Sequence, residues 1–401
     1  MTFGQTWIVV PTYWTFPAAE KGAELTLFDH PTPLDEDGTL ARTLESFRGL
    51  NGNFNVLVVA AATSPLIGRR VHDRVASLIR PFARAFPLYL ASPANLPALN
   101  GLLAEPILKL DTYGNIRNVQ LVLPYLAGAG IVAGIDDDEI VEDPEFVTKV
   151  NRFVGSSFQG EKVGGKAGPY LDRAGEYRIA GAEALADCPN MFLKKNYFMN
   201  EAIKKAMQPR GASDLVKSNV AFGGNMVMAR STVARICHDP YIPRGEDYDY
   251  VINAAMDSTR FFFQPDMAIV HLPPDSTGSQ AGDKASKLTA DIRRFIYMRE
   301  KVRLYRQLFP DGPLDINYLM PYPGVYLDEE LDLKDHGVKA LDEKYPEYRR
   351  DRSPEQFVRG AEETARRKAR EFFEYQKTWR SVMAEAFRKA WNPENMRPFS
   401  V

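Results

Sequence analysis

Three consecutive aspartates, Asp136, Asp137 and Asp138, directly follow the short apolar stretch GIVAGI, which is typical of a buried strand. Two carboxylates spaced as Asp-x-Asp at a strand end can hold a hard cation such as Mg²⁺ or Mn²⁺ through oxygen, and a diphosphate can complete the coordination. A solvated acidic turn is the alternative for such a pattern taken alone, because unpaired carboxylates are costly to bury. Its position after a predicted buried strand favours the metal site.

Two further groups of residues suited to acid–base chemistry or ligation lie downstream. The stretch RGEDYDY places Glu246 and Asp247 at the predicted start of a helix. The helix dipole favours anions there, so acids that only stabilise the first turn are the alternative interpretation. His271 ends the apolar stretch DMAIVH, where a histidine is more often structural than a ligand. The three groups in this order are much less expected by chance than any one of them.

The elements that must position these residues alternate in type along the first 140 residues. Continuous apolar and β-branched runs predict buried strands at 6–11, 54–62 and 86–92. Amphipathic periodicity between the runs predicts helices, including one at about 115–126 that is interrupted or kinked near Pro124. This alternation predicts a doubly wound, mostly parallel sheet, in which ligands bind at the carboxyl ends of the strands.

The pattern is weaker in the rest of the chain. The glycine-rich segment 158–177 is predicted to form a loop and a hairpin, and 220–229 a short strand. Charged helical patterns cover 283–309 and 354–391, and the segment between them is irregular. The C-terminal helices suit either a lid on the acceptor side of a site or a surface for homo-oligomerisation.

Composition narrows the classes of function. The 401 residues include 50 basic and 52 acidic side chains, a net charge of −2, so nucleic acid is not expected as the main partner. No apolar run is long enough to span a bilayer, and the N-terminus lacks the features of a signal peptide. Cys188 and Cys237 show no metal-ligand spacing. These features together predict a cytoplasmic protein. They are also compatible with a loose association with a membrane surface.

The order of these motifs resembles that of the GT-A nucleotide-sugar glycosyltransferases, especially the family-2-like group, over roughly residues 6–275. VVPTYW is similar to the first strand and nucleotide-contact turn of that group, and YGNIRN to its Gly-x-x-x-Arg-Asn helix. GIDDDE matches the metal motif of that group, and GGNMVMAR resembles its Gly-Gly-Asn strand beside the acceptor pocket. GEDYD matches its Glu-Asp motif, and AIVH matches the late histidine that many members carry.

The resemblance implies a GT-A fold and a metal-dependent transfer of a sugar, a hexose by default, from a nucleoside diphosphate to a hydroxyl acceptor. The resemblance implies that the donor is contacted by Pro11, Thr12, Tyr13, Arg117, Asp136 and Asp137, and that Mn²⁺ or Mg²⁺ is bound by Asp138 and His271. It implies that the acceptor is contacted by Gly223, Gly224, Asn225 and Arg244. It also implies that Asp247 is the catalytic residue, with Glu246 as its supporting neighbour.

The same resemblance predicts a division into a catalytic domain, 1–280, and a helical C-terminal extension, 281–401, packed on it. Within the catalytic domain, 1–140 is expected to bind the nucleotide sugar and 141–280 the acceptor. Because no span is predicted, a small polar acceptor is favoured over a polyprenyl lipid.

Several alternatives stay open at this level. A retaining enzyme of the same fold would use the same metal site, and a nucleotide-sugar-binding protein would use it without transfer. Many members of the family carry acids after the second strand that help to bind the base or ribose of the nucleotide, and this chain has Ala61-Ala62-Thr63-Ser64 there. The sequence therefore does not identify the base of the donor nucleotide. GEKVGGKA nearly fits a phosphate-binding loop, but its last residue, Ala167, has no hydroxyl for Mg²⁺, and we interpret it as a flexible loop on the acceptor side. A sugar nucleotidyltransferase lacks support because no Gly-rich, Arg-containing loop follows the first strand.

Overall fold

The computed structural model describes residues 5–20, 28–208, 215–274, 281–346, 353–388 and 393–401. In these residues the strands are β1 (Thr6–Thr15), β2 (Thr32–Pro33), β3 (Phe54–Ala62), β4 (Leu88–Ala91), β5 (Ile131–Gly134), β6 (Glu139–Ile140), β7 (Ser157–Phe158), β8 (Glu161–Ala167), β9 (Tyr170–Leu171), β10 (Val216–Lys217), β11 (Met226–Ala229), β12 (Arg260–Phe263) and β13 (Ile269–His271). The helices are α1 (Leu40–Ser46), α2 (Gly68–Ile79), α3 (Leu96–Asn100), α4 (Tyr113–Leu126), α5 (Phe146–Asn151), α6 (Lys195–Ala206), α7 (Arg230–Val233), α8 (Glu246–Met256), α9 (Ala281–Leu308), α10 (Leu333–Lys344) and α11 (Pro354–Arg388).

The main sheet has the strand order β10-β12-β8-β11-β5-β1-β3-β4, with β2 beside β1 and β7 beside β8. Strands β1, β3, β4 and β5 are parallel, and β11 lies antiparallel between β5 and β8. A second, small sheet has the order β6-β13-β9. The predicted α/β class, with a mostly parallel central sheet and a helical C-terminal region, is confirmed.

Alternate side chains of the central strands enter two hydrophobic cores on opposite faces of the sheet. Trp7 and Val9 of β1 contact the core that contains apolar residues of α4, α8, α9 and α11. Ile8 and Val10 belong to the core that α1, α2 and α5 cover. Because both faces are covered, β1 and β3 are buried along nearly their whole length, and this is why their sequences read as continuous apolar runs.

The C-terminal helices α9 and α11 share the first of these cores with the sheet. Trp379 of α11 is fully buried, and its Nε1 donates a hydrogen bond to the carbonyl of Val233 at 3.0 Å. Helix α11 ends at Arg388, and the last residues of the predicted helix, 389–391, lie outside the described residues. None of the helices in the described ranges combines the length and apolarity that crossing a membrane requires. The division of the chain into domains stays a prediction.

The prediction of a loop and hairpin for segment 158–177 is correct only for a short hairpin, in which Phe158 of β7 pairs antiparallel with Glu161 of β8. Strand β8 itself continues into the main sheet, where it lies between β11 and β12. Lys166, the lysine of the phosphate-loop-like stretch, is fully buried and donates hydrogen bonds to the carbonyl of Arg152 and to Gln264 Oε1, each at 2.7 Å. It therefore stabilises the interior and does not extend from a flexible loop over a site.

Candidate active site

A cleft of about 810 Å³ opens at the carboxyl ends of the parallel strands β1 and β5, beside the start of α8. This volume is in the range of small-molecule sites. The residues predicted from the sequence that line it are Tyr13, Arg117, Asp136, Asp137, Asp138, Gly223, Arg244, Glu246, Asp247 and His271. The fold thus brings together residues from the beginning, middle and last third of the sequence.

The small sheet places His271 beside the aspartates. Strand β6, which follows the Asp triplet, pairs antiparallel with β13, with Glu139 opposite His271. As a result His271 Nε2 lies 3.3 Å from Asp138 Oδ2, and the amide of Leu272 donates to the carbonyl of Asp138 at 2.8 Å. Burial alone would lower the pKa of His271, but its hydrogen bond with Asp138 raises it. The predicted pair of metal-ligand residues is therefore in contact.

The carboxylates of the acidic turn are crowded and poorly solvated. Burial raises the pKa of Asp137 to about 7, although a hydrogen bond from the Thr12 hydroxyl lowers it. Burial also raises the pKa of Asp136, against the opposing charge of Arg117, and that of the fully buried Glu139. A bound cation would offset this concentration of negative charge, so the electrostatics of the turn fit a metal.

The ligand set fits a cation that is completed by substrate. Asp138 and His271 supply one oxygen and one nitrogen, and no group of three or more His, Cys, Asp or Glu in the described residues is arranged to hold a metal. Mg²⁺ commonly binds through one or two carboxylates with water and substrate phosphates in the other positions. The two residues therefore fit a metal that binds together with a diphosphate.

Arg117 joins the two acidic motifs. Its Nη2 lies 2.8 Å from Asp136 Oδ1, and its Nε lies 3.2 Å from Glu246 Oε1. It is held in α4, whose first turn is capped by the Thr112 hydroxyl. The close approach of Arg117 requires a glycine at 223, because a Cβ there would lie 2.4 Å from Arg117 Nη2. Arg117 thus fixes the distance between the end of β5 and the start of α8.

Glu246 and Asp247 have different environments although they are consecutive. The Glu246 side chain faces Arg117 and is only 11% exposed. Asp247 is half-buried in the cleft lining, and its Oδ1 accepts a hydrogen bond from the amide of Tyr248 at 2.7 Å. Burial, with a smaller contribution from the charge of Glu246, raises the pKa of Asp247 to about 7. A carboxylate with this pKa is suited to accept a proton near neutral pH.

Four of the predicted residues support the cleft wall and do not line it. Pro11 pairs with Val59 inside the main sheet. The Thr12 hydroxyl accepts a hydrogen bond from Trp14 Nε1 at 3.0 Å. The remaining two are Gly224 and the fully buried Asn225, whose Nδ2 donates to the carbonyl of Met267 at 2.7 Å. The structure therefore places these four residues behind the lining of the cleft, and the substrate contacts predicted for them stay predictions.

Glu139 and Tyr170 are parts of the site that were not predicted from the sequence. Glu139 Oε2 accepts a hydrogen bond from the amide of Asp136 at 2.7 Å, and Tyr170 donates to the Glu139 carboxylate. The hydroxyl of Tyr170 in turn accepts from the amide of Gly224 at 2.7 Å, and its ring stacks on His271. Adjacency to the Asp triplet is a signal for Glu139, whereas Tyr170 lies in the segment interpreted as a loop.

We predict that Gly224→Ala displaces Glu139 and destabilises the fold by about 1–3 kcal/mol, the usual cost of forcing extra atoms into a packed interior. A Cβ at 224 would lie 2.1 Å from Glu139 Oε2. Urea denaturation measures the change. Gly360→Ala, in α11 with open space around the added atom, is the matched control and is expected to be neutral or slightly stabilising. Equal unfolding midpoints for the two variants would contradict the prediction.

Comparison with known proteins gives similarity at the level of structure only. No protein-family model matches the chain, and none of the curated proteins matches it. It is similar to the mannosyltransferase PcManGT from Pyrobaculum calidifontis in complex with GDP-Man and Mn²⁺ (TM-score 0.45, 12% identity, 96% of this chain and 85% of that one). It is also similar to glucosyl-3-phosphoglycerate synthase from Mycobacterium tuberculosis with Mn²⁺, UDP and phosphoglyceric acid (0.36, 16%, 72% and 78%), and to GalNAc-T7 with UDP, GalNAc and Mn²⁺ (0.38, 10%, 88% and 58%).

Proposed function

We propose that this protein is a metal-dependent glycosyltransferase that moves a hexosyl group from a nucleoside-diphosphate sugar to a hydroxyl acceptor. One observation carries the proposal: the acidic turn, the helix start with its two acids and the late histidine converge on one cleft. Arg117 bridges Asp136 and Glu246 there, and Asp138 contacts His271. Cleavage of a sugar–diphosphate bond needs stabilisation of the leaving diphosphate and a base for the acceptor, and the cleft offers residues for both.

The donor end is formed by the acidic turn together with Arg117 and Tyr13. Asp138 and His271 would hold the divalent cation, which when bound acts as a Lewis acid on the leaving diphosphate. Tyr13 lines this end and packs against Phe28, with ring centroids 4.7 Å apart, so it offers an aromatic surface for the base of the nucleotide. Arg117 holds the Asp136 carboxylate in place and provides positive charge inside the cleft.

The acceptor end contains the base. We assign the proton-accepting role to Asp247, because it lines the cleft and its pKa is raised to about 7, whereas Glu246 is occupied by Arg117. In the proposed inverting reaction Asp247 takes the proton of the acceptor hydroxyl as that oxygen attacks the anomeric carbon. Glu246 holds the start of α8 close to the donor end through its ion pair with Arg117.

The first experiment is a panel of nucleotide sugars, including GDP-mannose, UDP-glucose and UDP-GalNAc, assayed for release of nucleoside diphosphate with Mn²⁺, with Mg²⁺ and with excess chelator. We expect release that depends on the metal and is lost in chelator. Full activity in chelator would contradict the proposed metal site. Metal-dependent binding without release, with or without an acceptor, would favour the alternative of a nucleotide-sugar-binding protein.

We predict that Asp138→Asn weakens Mn²⁺-dependent binding of the nucleoside diphosphate by at least about tenfold, since even the loss of an outer-sphere partner of a metal costs that much. Isothermal titration with and without Mn²⁺ measures the effect. Asp73→Asn is the matched control, because Asp73 lies on the exposed face of α2 and forms an exposed ion pair with the neighbouring Arg69. Unchanged binding in Asp138→Asn would exclude this residue as a ligand.

A further inference from the structure

A second wall of the cleft is cationic. Lys195 of α6, Arg244 before α8 and Arg294 of α9 all line the cleft and surround one buried carboxylate, Asp291. Lys195 Nζ lies 2.6 Å from Asp291 Oδ2, and Arg294 Nε and Arg244 Nε lie 3.1 and 3.9 Å from its Oδ1. We call these three cationic residues the basic cluster.

In the described part of the chain, the three cations outnumber the carboxylates with which they form ion pairs. All three share the Asp291 carboxylate, and Arg244 also approaches the more exposed Asp29, at 3.6 Å. Burial lowers the pKa of Lys195 although Asp291 raises it, so the ammonium group is held in a poorly solvated place. Because an excess of buried charge is costly, an anion bound between these side chains would be stabilised.

The hydrogen-bonding capacity of the cluster is also unfilled. Arg294 Nε and Asp291 Oδ1 are close, yet neither has a well-aligned hydrogen-bond partner among the described residues. Arg294 Nη2 donates to the hydroxyl of Tyr322 at 2.5 Å, which orients the guanidinium group. Guanidinium groups present several N–H donors in a plane that matches the oxygens of a carboxylate or a phosphate.

The basic cluster lies beside the proposed base and is distinct from the donor end. A Cβ on Gly245 would lie 2.1 Å from Arg294 Nη1, and Gly245 is two residues before Asp247. The charge of Arg294 accordingly lowers the pKa of Asp247, against the larger effect of burial. The donor end is formed by the acidic turn and Arg117, so the cluster is available for the other substrate.

We propose that Lys195, Arg244 and Arg294 form a subsite for an anionic group of the acceptor, so that the acceptor is a small hydroxyl compound with a phosphate or a carboxylate. This inference rests on the proposed function, because it takes the neighbouring Asp247 as the group that receives the proton of the acceptor. The anionic group would anchor the acceptor while its hydroxyl faces Asp247.

The test is isothermal titration with three probes of similar size: glycerol 3-phosphate, D-glycerate and glycerol. Each is titrated in the presence of Mg²⁺ and a saturating nucleoside diphosphate, and again without them. We expect at least one of the two anions to bind the native protein and glycerol not to bind. Lys195→Gln and Arg244→Gln should each weaken anion binding by about tenfold or more, the effect typical of a lost charged hydrogen bond.

Lys204→Gln is the matched control, because Lys204 lies on the same helix as Lys195 and pairs with Glu183 and Glu201 outside the cleft lining. The proposal is overturned if neither anion binds the native protein better than glycerol does. It is also overturned if Lys195→Gln and Lys204→Gln bind the anion with equal affinity. Loss of nucleotide binding in Lys195→Gln with unchanged anion binding would instead assign the cluster to the donor. If no nucleotide binds the native protein while anion binding depends on Lys195, the anion subsite stands and the proposed donor site fails.

Discussion

Replacing Asp247 by asparagine is expected to lower kcat by roughly 10²–10⁴-fold, because a positioned general base typically contributes that much. Asparagine keeps the shape of the side chain and its ability to accept the hydrogen bond from the Tyr248 amide, but it loses basicity. Binding of the nucleoside diphosphate with Mn²⁺ should stay near the native value, because the donor end is formed by other residues. Steady-state release of nucleoside diphosphate gives kcat, and isothermal titration gives the affinity.

The contrast with Asp138→Asn separates a catalytic carboxylate from a ligand, since the variant at 138 should weaken donor and metal binding as well. Near-normal turnover in Asp247→Asn would exclude Asp247 as the inverting base. The anomeric configuration of the product, determined by NMR, tests inversion independently. A retained anomer would favour the retaining alternative and leave Asp247 with an orienting role.

The pH profile gives a second readout for the same residue. The base must be deprotonated to accept a proton, and the pKa of Asp247 is raised to about 7 by burial. We therefore expect kcat/KM to fall as the pH drops below about 7, with the slope of a single protonation. This acidic limb should be absent in Asp247→Asn, and a limb that persists there would have to belong to another group.

The largest effect on stability is expected for Lys301→Met, at about 3–5 kcal/mol of unfolding free energy, because removing one partner leaves buried charges uncompensated. Lys301 of α9 is fully buried, and its Nζ donates to Asp239 Oδ2 at 3.0 Å and to Asp249 Oδ1 and Oδ2 at 2.5 and 2.6 Å. Methionine retains most of the volume of the stem but leaves both carboxylates without their cation. Urea denaturation followed by circular dichroism measures the change.

Lys377→Met is the control for this experiment, because Lys377 lies on the exposed face of α11 and its ion pair with Glu374 is exposed as well. We expect its effect to stay within about 0.5 kcal/mol, as for most surface substitutions. Asp249 lies in α8, two residues after Asp247, so Lys301→Met should also disturb the start of that helix and lower turnover. Equal stability of the two variants would show that the buried ion pairs contribute little.

The sequence by itself determined the elements whose pattern is local. The strand predicted at 54–62 is confirmed at its bounds, because a strand buried on both faces reads as one continuous apolar run. Helix α4 was predicted at about 115–126 and is found at Tyr113–Leu126, with Pro124 inside its last turn. Ten of the fourteen site residues predicted from the order of the motifs also line the cleft, since strand ends and helix starts of an α/β sheet meet at one edge.

Only the tertiary structure decided the features that depend on distant neighbours. Strand β8 is rich in glycine and has no strand-like pattern of its own, and it is fixed by pairing with β11 and β12. The basic cluster combines side chains of Lys195, Arg244 and Arg294, which are up to about a hundred residues apart in sequence. Arg244 precedes the Glu-Asp motif and was predicted as an acceptor contact, but Lys195 and Arg294 belong to no motif and were not predicted. The role of Asn225 likewise follows from the carbonyl of Met267 that it contacts. Pairing, burial and charge compensation between such residues arise only when the chain is folded, so local periodicity and spacing do not encode them.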